Sequence, residues 1–180
     1  MELFLRDIYL ENLEKTDFKG AVEYLQMRAE RMASGDALAR LMGEIFWMLL
    51  YKEQLVLTPS EAEICRGNLA ALRARAQREN KGALFPALAG HLTERCPWFF
   101  ADCITNPSDL EETFRTADRQ AAKLFAKALL TDPRNPLAAA MAYPRNADGK
   151  RNLPKDVKTA LLDSLKGDSA IENYLKNEIC

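Results

Sequence analysis

The chain contains a single histidine, and any acid–base chemistry would start from that residue. His91 and Glu94 are three positions apart, so a helix through this segment places both on one face. Cys96, Asp102 and Cys103 follow closely, and a cysteine beside a histidine base is the arrangement of a nucleophilic pair. None of these cysteines lies in a recognisable nucleophile motif, and a di-metal site in a helical bundle needs a second histidine. We therefore predict no catalytic residue, and interpret His91 as a partly buried or surface histidine on an amphipathic helix.

The sequence also lacks the motifs that hold nucleotides and metals. Its eight glycines are scattered and form neither GxGxxG nor GxxxxGK, so nucleotide phosphates have no glycine-rich loop. Its four cysteines lack CxxC spacing and, with no export signal recognised, are most simply read as reduced thiols. Carboxylate pairs at positions 61 and 63 and at 111 and 112 fall in first helical turns, where negative charge suits the helix dipole. We predict no cofactor and no metal site.

The densest basic region is a candidate surface for an acidic protein partner. Its charges would mostly raise the association rate and the specificity of such a complex. The ordinary alternative is a solvated helix face, because glutamates at 61, 63 and 79 are interleaved with the basic residues. The region comprises Arg66, Arg73, Arg75, Arg78 and Lys81.

An aromatic run after Cys96-Pro97 is the second candidate surface. Trp98, Phe99 and Phe100 are adjacent, so they cannot all face one side of a helix. We favour the interpretation that they fill a junction between helices. The alternative is that one or both of Trp98 and Phe99 are exposed and anchor a binding partner. A polar loop adds three candidate contacts, with a plain connector as the alternative. These are Arg145, Lys150 and Arg151.

Helical spacing places these candidates on regular elements, because apolar residues recur every three or four positions almost everywhere. Asp17 is predicted to cap a helix that Gly35 ends. Its expected core stripe is Phe18, Ala21, Val22, Leu25, Ala29 and Met32. A second helix is predicted from about residue 36 to residue 55, and the His91 segment forms a helix over residues 83–95.

Two further start signals flank the basic and aromatic segments. Thr58 and Glu61 have the spacing of a capping box, which predicts a helix running to about residue 80. Ser108 and Glu111 repeat that spacing and predict a long helix. Its expected core stripe is Leu110, Phe114, Ala117, Ala121, Leu124, Phe125 and Ala128.

The resulting fold prediction is all-α. No segment alternates apolar and polar residues over a strand length, and the start and stop signals predict a single-domain multi-helix bundle of about 8–10 helices. Residues 1–143 form the main helical domain, and residues 144–154 form a polar linker loop. Residues 155–180 form a C-terminal helical pair packed on the same domain. A solenoid-like arrangement of the helices is the alternative.

One segment resembles a known family. Ala121, Phe125, Ala128 and Pro133 have the spacing of the second helix of a tetratricopeptide repeat. The resemblance implies paired helices whose small residues allow close approach, with the proline turning the chain into the next unit. The first-helix positions of the repeat depart from the family pattern, because Thr105, Ser108, Asp109 and Glu112 stand there. The pattern is half present, and a non-repetitive bundle is the alternative.

A second, shorter segment resembles a DNA-binding element. Residues 57–63 are similar to the opening of the helix-turn-helix of LuxR-type regulators. That motif needs a short turn and a recognition helix, whereas one helix is predicted to continue to about residue 80 here. The formal net charge of −1 provides no field that would draw the chain to nucleic acid or to an anionic membrane. We expect neither ligand.

The remaining composition favours a cytoplasmic protein. The longest strongly apolar stretch, residues 45–51, is too short to span a bilayer. Charges at positions 2, 6 and 7 interrupt the apolar N-terminal run, unlike the core of a signal peptide.

With catalytic and cofactor motifs missing, we expect a non-enzymatic helical protein that binds another protein. A specific form of this function is an immunity-type inhibitor that neutralises a partner toxin by occluding its active site. We reach this hypothesis by elimination. One alternative is a tetratricopeptide-like adaptor or chaperone that holds peptides in a concave groove. The other is an enzyme centred on His91. The sequence leaves the partner, the binding face and the oligomeric state open.

Overall fold

The described part of the protein is helical throughout. The computed structural model describes residues 4, 7–51, 57–146 and 150–179, and nine α-helices and no strand lie within them. The helices are α1 (Ile8–Thr16), α2 (Phe18–Met32), α3 (Gly35–Leu50), α4 (Pro59–Arg78), α5 (Leu84–Arg95), α6 (Leu110–Thr131), α7 (Pro136–Met141), α8 (Lys155–Ser164) and α9 (Ala170–Ile179). Two 3₁₀ turns, Pro97–Phe99 and Ala101–Cys103, precede α6. The all-α prediction is confirmed, and residues 52–55 of the predicted second helix lie outside the described residues.

Capping side chains explain where several helices begin. Thr58 and Glu61 form the predicted capping box, in which the Thr58 hydroxyl accepts from the Glu61 amide at 3.3 Å. The predicted box at Ser108 and Glu111 is wrong, because Asp109 caps α6. Its carboxylate accepts from the amide of Glu112 at 2.9 Å. An aspartate directly before the first helical residue reaches the free amides better than the serine one position earlier.

The junction between α2 and α3 also differs from the prediction. Gly35 was expected to end α2, but that helix ends at Met32 and Ala33 takes the left-handed conformation, with a φ of 45°. Ser34 then caps α3, and its hydroxyl accepts from the amide of Ala37 at 3.2 Å. Gly35 is the first residue of α3, and its lack of a side chain lets this turn approach the Lys81 carbonyl.

Two helices form the centre of the molecule. Residues 37–46 of α3 are buried without interruption, and so are residues 84–93 of α5. Helix α6 packs along α5, where a Cβ on Gly90 would lie 2.5 Å from the Phe125 ring. Helix α9 packs on α3, where a Cβ on Gly43 would lie 2.5 Å from the Ile171 side chain. Two helices that are buried on most faces organise the remaining helices around them.

A lysine joins α6 to the end of α4. The Lys127 ammonium donates to the backbone carbonyls of Ala76, Gln77 and Glu79, at 2.9, 2.8 and 2.8 Å. Those carbonyls lie in the last turn of α4 and at the residue that follows it, where the helix dipole and the missing intrahelical partners favour a cation. This contact fixes the register of α6 against α4.

The predicted core stripe of α6 is correct only in its second half. Leu110 is 69% exposed and Phe114 is 41% exposed, whereas the stripe from Ala117 to Ala128 is buried. The 22 residues of α6 span about 33 Å and the 12 residues of α5 about 18 Å. Phe125 packs on Gly90, which has at most six residues of α5 on either side, whereas 15 residues of α6 precede Phe125, so the first turns of α6 extend past α5. Met32, at the end of the α2 stripe, is likewise 60% exposed.

Within the described residues, no helix combines the length and the apolar character needed to cross a membrane.

Candidate functional site

The extension of α6 past α5 creates an exposed apolar surface, which we name the Trp98 patch and define as Trp98, Leu110 and Phe114. Their exposed fractions are 50%, 69% and 41%. The Trp98 and Phe114 rings meet edge to face with centroids 6.2 Å apart. Leu110 and Phe114 are four residues apart on α6, so they share one helix face. Large apolar side chains that are exposed together mark binding surfaces more often than isolated ones do.

Buried neighbours hold the backbone of the Trp98 patch in place. Phe100 is fully buried, and the half-buried Phe99 packs against Phe46 of α3 with ring centroids 5.6 Å apart. Successive residues of a 3₁₀ turn point about 120° apart, so Phe99 can face the core while Trp98 faces solvent. Phe99 and Phe100 therefore fill the predicted junction between helices, whereas Trp98 is exposed.

Arg73 is buried behind this surface. It is 4% exposed, and its guanidinium lies over the Phe100 ring, 4.3 Å from the centroid. It also donates to Gln120 at 2.5 Å and to the Asp102 carboxylate. Sequence analysis placed Arg73 either on a docking surface for an acidic partner or on a solvated helix face, and both would be exposed. The structure instead has it connecting α4, α6 and the second 3₁₀ turn.

The other basic residues of α4 are dispersed. Arg66 pairs with Glu63 at 2.6 Å and Arg75 pairs with Glu79 at 2.9 Å, both along the helix. Lys81 is 3.9 Å from the same Glu79, and Arg78 is exposed at the end of α4. Exposed pairs of this kind contribute little free energy. These three pairs fit the alternative prediction, in which the basic residues lie on a solvated helix face.

The polar loop after α7 is attached to α5 through its arginines. Arg145 donates to the Glu94 carboxylate at 3.0 Å, and Arg151 pairs with the same carboxylate. Arg151 also donates to the carbonyl of Met141 at 3.1 Å, and burial lowers the pKa of its guanidinium. Arg145 and Arg151 therefore have structural contacts inside the molecule, whereas the third predicted contact of this loop, Lys150, is exposed.

His91 is more deeply buried than predicted, at 3% exposure, because α5 is buried on every side around it. Neither ring nitrogen has a hydrogen-bond partner among the described residues. Burial, then the charges of Arg145, Arg151 and Arg95, hold the pKa of His91 well below its ordinary value, so the imidazole is neutral. Burial also raises the pKa of the Cys96 thiol to about 12. A thiolate–imidazolium pair, the reactive form of a cysteine–histidine site, is disfavoured in this environment.

The described residues contain no group of three or more His, Cys, Asp or Glu side chains that could hold a metal.

A groove between α2, α3 and α4 is a second candidate surface. Its volume is about 230 Å³. Apolar side chains of α3 and α4, Leu38, Leu41, Ile45 and Leu72, form its floor, and polar side chains including Glu30, Asn68 and Arg75 line its rim. This volume is below the range of about 300–1,000 Å³ for small-molecule pockets and suits one or two side chains of a peptide.

Sequence reasoning named Trp98 but assigned Leu110 and Phe114 to the core. One feature of the sequence could have indicated their exposure. The apolar stripe on α6 is longer than the α5 segment that can cover it. No family model, curated protein or solved structure matches this chain.

Proposed function

We propose that this protein is non-enzymatic and acts by binding another folded protein through the Trp98 patch. The observation that carries the proposal is the exposure of Trp98 and Phe114 in direct ring contact with each other. Tryptophan is among the residues most enriched at the energetic centres of interfaces. Burying these two rings and Leu110 against a partner would release water from apolar surface, which is the main driving force of association.

The surroundings of the patch support this proposal. The side chains of Asp102, Glu111 and Arg115 are 57%, 83% and 58% exposed. Glu111 and Arg115 lie on α6 with the patch, and Asp102 lies on the second 3₁₀ turn. An apolar centre within charged, solvated residues is the usual anatomy of a protein interface. The buried contacts of Phe100 and Arg73 also limit the motion of the turn, which reduces the entropy lost on binding.

The specific form we propose is an immunity-type inhibitor whose Trp98 patch enters and occludes the active site of a toxin. An inhibitor of this kind needs rigid side chains that are presented outward, and Trp98 on its braced turn meets that need. The groove between α2, α3 and α4 is not lined by Trp98, Leu110 or Phe114, which project outward instead. The patch is therefore suited to entering a partner's cavity.

The groove supports a second candidate function, the peptide-binding adaptor. Its apolar floor and polar rim are the features that accept apolar side chains of an extended or helical peptide. The two candidates use different faces of the molecule, so variants can separate them.

Surface substitutions provide the test. Trp98→Ala and Phe114→Ala should each weaken the complex with the partner captured from source cells by at least tenfold, about 1.4 kcal/mol. Leu130→Ala is the matched control, because Leu130 is 87% exposed on the same helix and lies outside the patch. Ala71→Glu, on the exposed wall of the groove, should leave the affinity unchanged. The measurement is calorimetry with the purified partner, alongside the melting temperature of each variant.

Three results would contradict these proposals. Affinity unchanged by both aromatic substitutions would reject the patch. Loss of binding in Ala71→Glu alone would favour the adaptor. A partner enzyme that stays active in the complex would reject the inhibitor form and leave the binding function in place.

A further inference from the structure

Carboxylates from two other helices meet the beginning of α9. The Ala170 amide donates to Glu14 Oε2 of α1 at 2.8 Å, and the Ile171 amide lies 3.4 Å from Glu44 Oε1 of α3. Two residues before Ala170, the Asp168 amide donates to Glu11 of α1 at 3.3 Å. Glu44 is 0% exposed and Glu11 is 6% exposed. These bonds connect the free amides at the start of α9 to the α1–α3 junction.

The remaining oxygens of Glu14 and Glu44 require a proton. Glu14 Oε1 and Glu44 Oε2 are buried, and neither has a conventional donor among the described residues. The two carboxylates accept from consecutive amides of α9 and each affects the pKa of the other, so they lie side by side, and a hydrogen bond between their remaining oxygens needs a donor that two ionised carboxylates lack. One proton on Glu44 provides that donor. All four oxygens of the pair are then satisfied: two by the backbone of α9 and two by each other.

The charges around the pair favour one bound proton. Burial, then the neighbouring Glu14 carboxylate, raises the pKa of Glu44 well above its ordinary value. Burial also raises the pKa of Glu14, which the Ala170 amide, Glu44 and the Arg40 cation lower in part. Arg40 is 1% exposed and lies 3.6 Å from Asp36. A single negative charge beside Arg40 and the amino end of α9 is therefore the stable form of the pair.

Further charged groups face the same junction. From α1, Lys15 pairs with Asp168 at 3.1 Å near the surface. Glu172 of α9 accepts from the Gly167 amide at 2.9 Å, and Lys176 donates to the Gly167 carbonyl at 2.7 Å. On neighbouring helices, Arg28 of α2 pairs with Asp7 before α1, and His91 of α5 contacts the Tyr174 ring. The charged groups among these each have a polar partner of their own and His91 is neutral, whereas the Glu14–Glu44 contact depends on a proton.

We infer that the Glu14–Glu44 pair is a one-proton latch that keeps α9 docked on α3 and releases it as the pH rises. This inference is independent of the proposed function. Loss of the shared proton leaves two adjacent buried negative charges and removes the donor between them. Undocking α9 relieves both problems, because the carboxylates then reach water. Since the docked pair binds one proton more than the undocked carboxylates, the docking equilibrium weakens by up to about tenfold per pH unit from the ordinary glutamate pKa up to the pKa of the docked pair.

Hydrogen exchange of α9 tests the latch. In the wild-type protein, protection of residues 168–179 should fall as the pH rises from about 5 to about 9, after correction for intrinsic exchange and relative to α5. In Glu44→Gln, protection should stay constant, because the amide donates to Glu14 and its carbonyl accepts from Ile171 as protonated Glu44 does. Glu23→Gln, an exposed change on α2, is the control and should behave as the wild type does.

Infrared spectroscopy of the wild-type protein provides a measurement that needs no variant to fold. A protonated carboxyl band should persist at neutral pH and disappear over the same range in which α9 loses protection. Protection of α9 that is independent of pH in the wild type would overturn the inference. So would an equal pH dependence in Glu44→Gln, or the absence of a protonated carboxyl at neutral pH.

Discussion

Glu94 is the residue that attaches the loop after α7 to the centre of the molecule. Its side chain is 14% exposed and accepts from both Arg145 and Arg151, which are 51 and 57 positions away. Arg151 is the more buried of the two, with 7% of its side chain exposed, and lies 5.5 Å from the centroid of the Phe125 ring. The loop that resembles a linker in sequence is therefore held by a largely buried ion cluster.

Removing the Glu94 charge should destabilise the protein strongly. Glu94→Gln keeps the shape of the side chain but leaves Arg145 and Arg151 without this counter-charge, and we expect a loss of about 3 kcal/mol in the free energy of unfolding. Glu178→Gln is the matched control, since its pair with Arg95 is more exposed and should cost less than about 1 kcal/mol. Urea denaturation measures both. Equal costs would show that burial does not determine the strength of these pairs.

Among the helices, close approach at glycine determines which pairs pack together. Gly90 of α5 lies under Phe125 of α6, and Gly43 of α3 lies under Ile171 of α9. Gly67 of α4 has no atom within 4 Å of the position of a Cβ. The first two glycines therefore have packing roles, and Gly67 has none in the described structure.

Alanine at these three glycines should have effects of opposite sign. Gly43→Ala and Gly90→Ala force a methyl group into occupied space and should each cost about 1–3 kcal/mol. Gly67→Ala should instead stabilise by about 0.5–1 kcal/mol, because alanine is the better helix former in an open position. Thermal unfolding monitored by circular dichroism measures the three variants. Stabilisation by Gly43→Ala would contradict the close contact between α3 and α9.

For the whole molecule, two buried groups make the stability depend on pH in opposite directions. The pKa of His91 is lowered, so the unfolded state binds more protons below about pH 6.5 and stability falls there as the pH falls. The pKa of Glu44 is raised, so the folded state binds more protons above about pH 4.5 and stability falls there as the pH rises. Between these values the two effects oppose each other.

Single variants should reveal each contribution. In Glu44→Gln, stability should increase with pH between about 4.5 and about 6.5, by up to about 1.4 kcal/mol per pH unit, because the His91 effect is unopposed. His91→Phe removes the histidine effect and leaves the Glu44 effect unopposed. Over the same range, the stability of this variant should therefore decrease with pH relative to that of the wild type. Free energies from urea denaturation at several pH values give both slopes. Parallel pH profiles for the wild type and both variants would contradict the assignment.

The sequence predicted the helices well because their signals are local. The three-four spacing and the caps at Asp17 and Thr58 involve residues within one or two turns of each other. Ser108 failed as a cap because Asp109, one position nearer the helix, competes for the same amide groups. For the candidate site, the run of adjacent aromatic residues identified Trp98, but the apolar periodicity of α6 placed Phe114 in the core. A stripe shows which side of a helix is apolar and does not show how far a neighbouring helix extends.

By itself, the sequence determined an all-α protein with most of its helix boundaries, because hydrogen bonding and capping within a helix are short-range. Only the tertiary structure decided that α6 extends past α5 and exposes Phe114, that Glu94 binds two distant arginines, and that Glu14 and Glu44 share a buried junction with α9. Each of these depends on which surfaces meet. That is set by packing between residues far apart in the chain, for which the local pattern of one helix carries no information.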